Sequence, residues 1–506
     1  MTPNEPRSWK AHLPPGFDVE AIDVLAQESL PKAWTKRWAL EARAIVALMP
    51  DGSRLSAGEL EDRSRQVAGR LASAGMGPGD RILISASASL DLLVVYVAAH
   101  RLGLIIVPMN TSYGPTEVRA IVTNTTPSMA VVDDRDSVRS IDDAADGHIW
   151  IVGSDVSIPT SEDPILDKSD RTTPALICHT SGTTGVPKGA VLTSGNLLAS
   201  AEAVRLAWRW TPDDRLALAL PLFHLHGLGV GINGTLLSGA SAILLGQFEP
   251  KSLGEAIADQ SATMFFGVPT MYHRLAFSPS LSQSLRSLRL CVSGSAPLPS
   301  ELHGRIKEAF GQAVLERYGM TETVMNLSNP YDGERRAGTV GFPLPGVEMR
   351  LESNNNGVDG EIQLRGPNVF RGYWNQPGAT SESFTSDGWF ASGDLAAVDD
   401  DGYVQIVGRS KELIISGGYN VYPKEIEDIL RAHGGIEDVA VLGVPSEEWG
   451  ETVTAVVVAN GSITADSIIE FAAQHLAPYK RPRIVRFVET LPRNALGKVQ
   501  KDLLTA

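Results

Sequence analysis

The sequence is poor in cysteine and has fewer cations than anions, and each shortage excludes a class of protein. Two cysteines among 506 residues cannot build the framework of a disulfide-stapled secreted domain. Cys178 and Cys291 both lie in apolar runs, which predicts two buried thiols in a reducing, cytoplasmic compartment. Lys and Arg number 44 against 59 Asp and Glu, a net charge of −15. This balance argues against nucleic-acid binding, which needs cations to neutralise phosphates.

The sequence also has no segment typical of a secretory signal or a membrane span. Residues 1–17 contain no apolar core of the kind that signal peptides have. Residues 216–248 carry no formal charge, but Pro221, His224, Asn233 and several glycines interrupt them. Such a stretch favours the wall of a pocket over a helix that faces lipid. We therefore expect no integral membrane segment, and the oligomeric state stays open.

The sequence does contain a long alternation of strand and helix patterns. Its length is enough for about three structural units. The sequence is 43% apolar and 20% charged, which excludes disorder and coiled coil. A capping box at Ser56–Glu59 predicts a helix that stops at Gly75, and an apolar helix is predicted over 90–102. Strands are predicted over 81–86, 104–109, 129–132, 175–179, 216–220, 242–245, 264–268, 288–292 and 314–317. This order predicts an α/β region of doubly wound, parallel-rich sheets.

The pattern changes near residue 330, where glycine and proline become denser and short alternating strands appear. This predicts a small β unit over about 330–409 that completes an N-terminal domain of residues 1–409. Residues 410–506 predict a small α+β domain with helices at 423–431 and 466–476. No long linker separates the two domains, so we expect a hinge that lets the C-terminal domain move.

The strongest chemical motif is a glycine- and hydroxyl-rich loop over 180–189, directly after the predicted strand 175–179. Gly182 and Gly185 permit backbone torsions that turn N–H groups toward an anion, and Lys188 adds a positive charge. The spacing differs from Walker A, because Val186 and Pro187 separate Gly185 from Lys188. The loop therefore predicts a phosphate-binding site of another type.

Two further clusters follow predicted strands. Residues 316–322 combine an aromatic ring, a hydroxyl and a carboxylate, while 293–296 offer a backbone that a ligand can approach closely. Ligands of open α/β sheets bind outside the carboxyl ends of the strands. Tyr318 could stack on a purine there, and Glu322 could hold Mg²⁺ against phosphate oxygens.

Five motifs in order give the sequence a family resemblance over nearly its whole length. They are the loop 180–189, Tyr318–Glu322, Ser392–Asp394, Gly408–Ile414 and Pro492–Lys498. Together they resemble the adenylate-forming superfamily of acyl-CoA synthetases, peptide-synthetase adenylation domains and luciferases. The strings at 221–227, 293–298 and 316–333 are similar to malonyl-CoA synthetases in particular.

The resemblance implies an ATP-dependent acid–thiol ligase with Mg²⁺ as cofactor and coenzyme A as second substrate. A carboxylate would attack the α-phosphate of ATP, and the thiol of coenzyme A would then displace AMP. The implied catalytic residues are Lys498, Glu322, Thr184 and Lys188, with Glu322 and Thr184 on the metal. The implied ATP-binding set is Thr180, Ser181, Gly182, Thr183, Thr184, Gly185, Lys188, Gly294, Ser295, Ala296, Glu316, Arg317, Tyr318, Gly319, Met320, Thr321, Asp394, Arg409 and Lys498.

Within this set the resemblance implies distinct roles for the C-terminal residues. Lys498 would bridge the carboxylate and the α-phosphate during adenylation. Asp394 would accept hydrogen bonds from the ribose, and Lys411 would be the hinge. The residues implied for coenzyme A are Ser416, Gly417, Gly418 and Tyr419.

The identity of the acid is the least determined part of the prediction. His224 matches a gating aromatic beside the acyl pocket, and Met320 is expected to line that pocket. Malonate or methylmalonate needs a cation for its second carboxylate, for which Arg274 and Arg289 are the candidates. Fatty, aromatic and other monocarboxylic acids remain alternatives, as does the loading of a carrier protein.

Overall fold

The structure is a computed structural model of the full chain. It describes residues 6–133, 148–151, 164–180, 188–353, 359–416, 419–446, 449–494 and 497–504. Ser181 to Gly185 of the phosphate loop, together with Gly417 and Gly418, lie outside the described residues.

A nine-stranded sheet forms the first layer of the N-terminal region. Its six central strands are parallel, and antiparallel strands close both edges. In spatial order the strands are Phe342–Pro343, Leu327–Ser328, Leu315–Tyr318, Leu290–Ser293, Met264–Gly267, Arg215–Leu218, Ser241–Leu244, Ile45–Leu48 and Arg54–Ser56.

A seven-stranded sheet forms the second layer, and it carries the strands that flank the phosphate loop. Its order is Gly372–Tyr373, Lys188–Thr193, Pro174–Thr180, Ile105–Pro108, Arg81–Ser85, Met129–Val132 and His148–Ile151. The strand Lys188–Thr193 is antiparallel to both of its neighbours, Gly372–Tyr373 and Pro174–Thr180. All other neighbouring strands of this sheet pair in parallel. The loop therefore connects two antiparallel strands, where the predicted alternation favours a strand followed by a helix.

Helices cover the sheets and fill the space between them. The described α-helices are Leu30–Leu40, Ala57–Ser73, Leu90–Leu102, Pro115–Thr125, Ser194–Ala207, Asn233–Ser238, Pro250–Gln260, Pro269–Ala276, Ser282–Leu285, Ser300–Phe310, Pro377–Glu382, Pro423–Arg431 and Ala465–His475. A π-helical turn over His226–Ile232 and short 3₁₀ segments, at Pro6–His12, Val19–Ala21, Pro279–Leu281, Ser410–Glu412, Pro478–Lys480 and Lys501–Leu504, complete the set.

The helix Leu90–Leu102 is the centre of the main core. All its residues from Leu92 onward are buried, as expected of a helix that is apolar on every side. The one charged group in its buried part, Arg101, is neutralised by carboxylates of Glu61 at 2.7 Å and Asp167 at 3.0 Å. This pairing explains how a cation is tolerated inside a helix packed against a sheet.

The later part of the chain forms a small antiparallel β unit and a separate C-terminal domain. The β unit is a four-stranded sheet in the order Glu348–Ser353, Asp359–Arg365, Phe390–Val398 and Val404–Arg409. The C-terminal sheet has the order Tyr419–Val421, Ile414–Ser416, Gly450–Ala459 and Ile436–Ser446, with Ile484–Phe487 parallel to Gly450–Ala459. The predicted fold class, with parallel-rich sheets and a small α+β C-terminal domain, is confirmed.

Most predicted elements are present with shifts of a residue or two at their ends. The capping box at Ser56 and Glu59 is formed, and both cysteines are buried. The uncharged stretch 216–248 breaks into a strand, a π-helical turn, a short helix and a second strand. Among the described residues, no helix combines the length and the apolar character that crossing a bilayer requires.

Candidate active site

Several predicted site residues meet at the carboxyl ends of the parallel strands of the nine-stranded sheet. Ser293 ends one strand and Tyr318 ends the next, and the two strands pair in register. A close backbone approach shapes the turn at this edge. A Cβ at Gly319 would lie 2.1 Å from the Val324 carbonyl oxygen, so the turn after Tyr318 admits only glycine there.

Asp394 links this edge to the small β unit. Its Oδ2 accepts a hydrogen bond from the Tyr318 hydroxyl at 2.6 Å, and its Oδ1 lies 3.0 Å from Arg409 Nε. Asp394 and Arg409 face each other in register on adjacent antiparallel strands. Because a carboxylate can accept about four hydrogen bonds, buried Asp394 keeps capacity for further donors. Tyr318 is thus fixed by a hydrogen bond to Asp394.

A turn of the C-terminal domain brings Lys498 to the same edge. The turn is closed by the Lys498 backbone N–H, which donates to Asn494 Oδ1 at 3.0 Å, and by Gly497 at φ +76°. A Cβ at Gly497 would lie 3.2 Å from Thr270 Cγ2, at the start of the helix that follows a site strand. Burial lowers the pKa of Lys498, and the nearby Arg409 cation lowers it further. The carboxylates of Glu412 and Asp394 act in the opposite direction, so this buried ammonium lies among charges of both signs.

Glu322 lies next to the strand that leaves the phosphate loop. Its Oε1 accepts a hydrogen bond from the Tyr373 hydroxyl at 2.8 Å, and the Lys188 ammonium lies 5.1 Å from the centre of the Tyr373 ring. Burial raises the pKa of Glu322. Thr180, Lys188 and Glu322 are thus on one side of the site. The sequence analysis did not single out Tyr373, whose position depends on pairing between distant strands.

Glu316 and Arg317 are neighbours in sequence with opposite charges, and neither neutralises the other. Glu316 Oε1 accepts from the Leu298 backbone N–H at 3.0 Å, and burial raises its pKa to about 7. Arg317 is buried and makes no ion pair within the described part of the chain, and burial lowers its pKa to about 9. Its Nε has no hydrogen-bond partner among the described residues. Burying a guanidinium without a paired anion is costly, so an anionic ligand would be favourable at this position.

Arg317 is the centre of a polar cluster with Ser295 and His226. Arg317 Nη2 lies 3.5 Å from Ser295 Oγ, and that oxygen lies 3.3 Å from His226 Nδ1. A Cβ at Gly294 would lie 2.3 Å from Arg317 Nε, so the guanidinium rests on the bare backbone there. Ser295 itself holds a left-handed φ of +71°. Such backbone strain is typical of ligand-binding sites.

His224 lies two residues before this cluster and is half-buried. Its ring lies 4.7 Å from the Phe223 ring, and burial lowers its pKa to about 4. His224 is therefore neutral at physiological pH. Burial holds the pKa of His226 well below its usual value, so both imidazole rings are neutral at physiological pH, and the His226 ring places Nδ1 beside Ser295.

The two arginines expected to bind a second carboxylate lie elsewhere. Arg289 precedes its strand, at the edge opposite the site, where its Nε lies 2.5 Å from Asp214 Oδ1. Arg274 pairs with Glu249 at 2.7 Å on the outer surface. Both guanidinium groups already have carboxylate partners, so the structure corrects the sequence-based assignment of Arg274 and Arg289 to the acid pocket. The sequence alone offered no means to detect Asp214 or Glu249 as partners.

Among the other predicted residues, Lys411 lies in the connection to the C-terminal domain, and Ser416 and Tyr419 lie in the first strands of that domain. Lys411 lies in the short 3₁₀ segment Ser410–Glu412 that joins the two domains. Ser416 is buried, and its hydroxyl has no partner within the described residues. Tyr419 is exposed and stacks on Tyr479 with ring centres 4.6 Å apart.

The donor set suits a magnesium ion that reaches the protein together with nucleotide phosphates. No group of three or more His, Cys, Asp or Glu side chains forms a metal cage in the part of the chain that the structure describes. Magnesium usually needs only one or two carboxylates when phosphates supply the other ligands. The buried carboxylate of Glu322 meets that requirement.

Two family models match this chain, and both describe parts of AMP-binding enzymes. The model of the AMP-binding enzyme family matches residues 32–374, and the model of the AMP-binding enzyme C-terminal domain matches residues 425–498. A feruloyl-CoA synthase of Amycolatopsis sp is 36% identical over 489 residues, which are 93% of this chain and 97% of that protein.

Two solved structures extend the comparison. ATP-bound MatB of Rhodopseudomonas palustris has 39% identity and a TM-score of 0.88, covering 94% of this chain and 98% of its own. A malonyl-CoA ligase ternary product complex with methylmalonyl-CoA and AMP bound has 40% identity and a TM-score of 0.66, covering 89% and 97%. The two structures thus have nearly equal sequence identity to this chain but unequal TM-scores.

Proposed function

The chain belongs to the AMP-binding enzyme family and is an AMP-forming acid–CoA ligase, and we propose that its acid is malonate or methylmalonate. The reaction activates a carboxylate with ATP and then transfers the acyl group to coenzyme A. The acid is the part of the proposal that the relatives leave open, because feruloyl-CoA synthases and malonyl-CoA ligases have similar identity to this chain.

The first half-reaction brings a carboxylate anion to the anionic α-phosphate, so the site must supply positive charge. We assign this task to Lys498, whose ammonium is buried near Asp394 and Arg409. Asp394 would accept hydrogen bonds from the ribose hydroxyls while it holds Tyr318 through its other oxygen. Lys188, at the exit of the phosphate loop, would pair with the β- and γ-phosphates.

Magnesium is assigned to Glu322, with Thr184 as the second protein ligand expected from the sequence. Bound there, the ion would neutralise phosphate oxygens and make pyrophosphate a better leaving group. The protein's own contribution is to hold the Glu322 carboxylate, which the Tyr373 hydroxyl does at 2.8 Å. Removal of the ion with a chelator should therefore stop adenylation.

The observation that carries the choice of acid is the buried guanidinium of Arg317, which forms no ion pair with any residue that the structure describes. A dicarboxylate offers a second carboxylate that would accept charge-assisted hydrogen bonds from this group and a hydrogen bond from the Ser295 hydroxyl beside it. A neutral aromatic tail such as that of ferulate would leave the cation buried and unpaired, at a cost of several kcal/mol. The electrostatics of the cluster therefore favour malonate over ferulate.

The proposal predicts that Arg317→Met lowers kcat/KM for malonate by about 100- to 1,000-fold, because the distal carboxylate loses its buried partner. The value for butyrate should fall by less than about threefold. The measurement is kcat/KM for malonate, methylmalonate, butyrate and ferulate in both proteins. Arg274→Met, at an exposed ion pair, is the matched control and should change none of the four values.

Two results would contradict the proposal. A wild-type protein that prefers ferulate or butyrate would remove malonate as the acid. An equal loss for all four acids in Arg317→Met would instead assign Arg317 to the nucleotide, as the family resemblance implies. A thermal unfolding curve checks that the variant is folded.

We further propose that the C-terminal domain rotates about Lys411 between the half-reactions. The greater similarity to an ATP-bound structure than to a complex with methylmalonyl-CoA and AMP supports an arrangement ready for adenylation. The second arrangement would bring Ser416, Gly417, Gly418 and Tyr419 toward the coenzyme A thiol.

Rotation at the hinge predicts an uneven effect of Lys411→Pro. Proline fixes φ, so adenylation should keep at least about half of its rate while coenzyme A-dependent turnover falls about tenfold or more. The test compares isotope exchange between pyrophosphate and ATP with formation of the thioester, with Lys411→Ala as the control. Equal loss in the two assays would contradict the hinge.

A further inference from the structure

The segment Phe370–Trp374 holds together two parts of the site that are distant in sequence. The strand Gly372–Tyr373 pairs with the strand Lys188–Thr193, and the pairs are Gly372 with Val191 and Tyr373 with Ala190. The Trp374 backbone N–H donates to the Gly189 carbonyl oxygen at 2.7 Å. The segment is therefore anchored directly beside Lys188, at the exit of the phosphate loop.

The same segment also contacts Glu322 twice. The Phe370 backbone N–H donates to the Glu322 carbonyl oxygen at 2.7 Å, and the Tyr373 hydroxyl donates to Glu322 Oε1 at 2.8 Å. The backbone and the carboxylate of Glu322 are thus both hydrogen-bonded to the segment Phe370–Trp374. The ring of Tyr373 lies between the two charged groups, since the Lys188 ammonium is 5.1 Å from its centre.

The surroundings fix the ring of Tyr373 itself. It packs edge-on against Phe370 with ring centres 4.9 Å apart, and its backbone N–H donates to Thr380 Oγ1 at 2.9 Å. A Cβ at Gly372 would lie 2.6 Å from Thr380 Cγ2, so the strand is pressed closely onto the helix Pro377–Glu382. The hydroxyl is therefore presented to Glu322 from a rigid frame.

We propose that Tyr373 is a positioning residue that orients the Glu322 carboxylate for magnesium and sets its distance from Lys188. This inference rests on the proposed assignment of magnesium to Glu322. A carboxylate that rotates freely loses conformational entropy when the ion binds. A carboxylate with one oxygen held by a hydroxyl already has its second oxygen directed outward. Hydrogen bonds of this kind to metal ligands are typically worth 10- to 100-fold in metal affinity.

The test is ATP binding measured by titration calorimetry without any acid, so that no adenylate can form. Each protein is titrated with ATP in excess Mg²⁺ and with ATP in a chelator. Tyr373→Phe keeps the ring beside Lys188 and removes only the hydroxyl. We expect it to weaken binding of ATP with Mg²⁺ by about tenfold and to leave binding in the chelator within about twofold.

A matched control removes a tyrosine hydroxyl from the β unit away from Glu322. Tyr403 donates to the Glu334 carbonyl oxygen at 2.9 Å, and Tyr403→Phe should leave both titrations unchanged. Equal weakening with and without Mg²⁺ in Tyr373→Phe would overturn the inference, because the hydroxyl would then act on the fold or on the nucleotide. Unchanged binding in both would overturn it as well.

The variant Glu322→Gln separates failure of this inference from failure of the magnesium assignment. If Glu322→Gln keeps the full advantage of Mg²⁺, the assignment of the ion to Glu322 is wrong. If Glu322→Gln loses that advantage and Tyr373→Phe does not, only the positioning role is wrong. In the double variant, Tyr373→Phe should add less than about twofold to the effect of Glu322→Gln, because both changes act through one carboxylate.

Discussion

Replacing Lys498 with alanine is expected to slow formation of the acyl-adenylate by about 100- to 1,000-fold, the usual loss for one preorganised group that stabilises developing charge. The ammonium is needed while the acid carboxylate and the α-phosphate approach each other. Thioester formation from a pre-formed acyl-adenylate should change by less than about threefold, since no second anion approaches the phosphate in that step. A large loss in adenylation with little loss in thioester formation would identify Lys498 as the residue that neutralises charge in the first half-reaction.

The measurement is the rate of pyrophosphate release with acid and ATP, beside the rate of thioester formation from synthetic acyl-adenylate and coenzyme A. Lys251→Ala removes an exposed lysine whose side chain is 87% accessible, and it should change neither rate. Equal losses in the two half-reactions of Lys498→Ala would show that the turn at Asn494–Lys498 has a structural role instead.

Arg289→Met is expected to destabilise the folded protein by about 3 kcal/mol without changing the choice of acid. The guanidinium contacts both oxygens of Asp214, at 2.5 Å and 2.6 Å, and Asp214 is only 3% exposed. Removing the arginine leaves a buried carboxylate with the backbone N–H and hydroxyl of Thr211 and the hydroxyl of Thr263 as its remaining partners. Urea unfolding measures the loss, and Arg305→Met, at an exposed pair with Glu301, should cost less than about 1 kcal/mol.

The same variant has a defined pH dependence. Hydrogen bonds from Arg289, Thr211 and Thr263 outweigh burial and hold the pKa of Asp214 below its usual value. The stabilisation is therefore present above the unfolded pKa of about 4 and is lost as the pH falls through the folded value. The stability difference between wild type and Arg289→Met should be largest near neutral pH and should shrink below about pH 4. A changed ratio of kcat/KM for malonate over butyrate would contradict the purely structural role of Arg289.

Local patterns in the sequence were sufficient to predict many of the elements. The apolar pattern predicts the helix Leu90–Leu102 with its observed bounds, and the predicted helix 423–431 also matches Pro423–Arg431. The strand Met129–Val132 also matches its predicted bounds. The long strand Phe390–Val398 was not predicted, because glycine and acidic residues interrupt its apolar pattern.

The sequence by itself determined the parallel-rich and small β-rich regions and the motifs that follow the strands, because caps, periodicity and glycine-rich turns act over a few residues. The chemistry came from the resemblance of five ordered motifs to a known family. The tertiary structure decided which charges have partners. Arg289 is paired with Asp214, whereas Arg317 has no anionic partner among the described residues, although both are arginines near the ends of predicted strands. It also decided that Tyr373 holds Glu322. Burial and ion pairing depend on strand order and on contacts between distant segments, and no local pattern in one sequence encodes them.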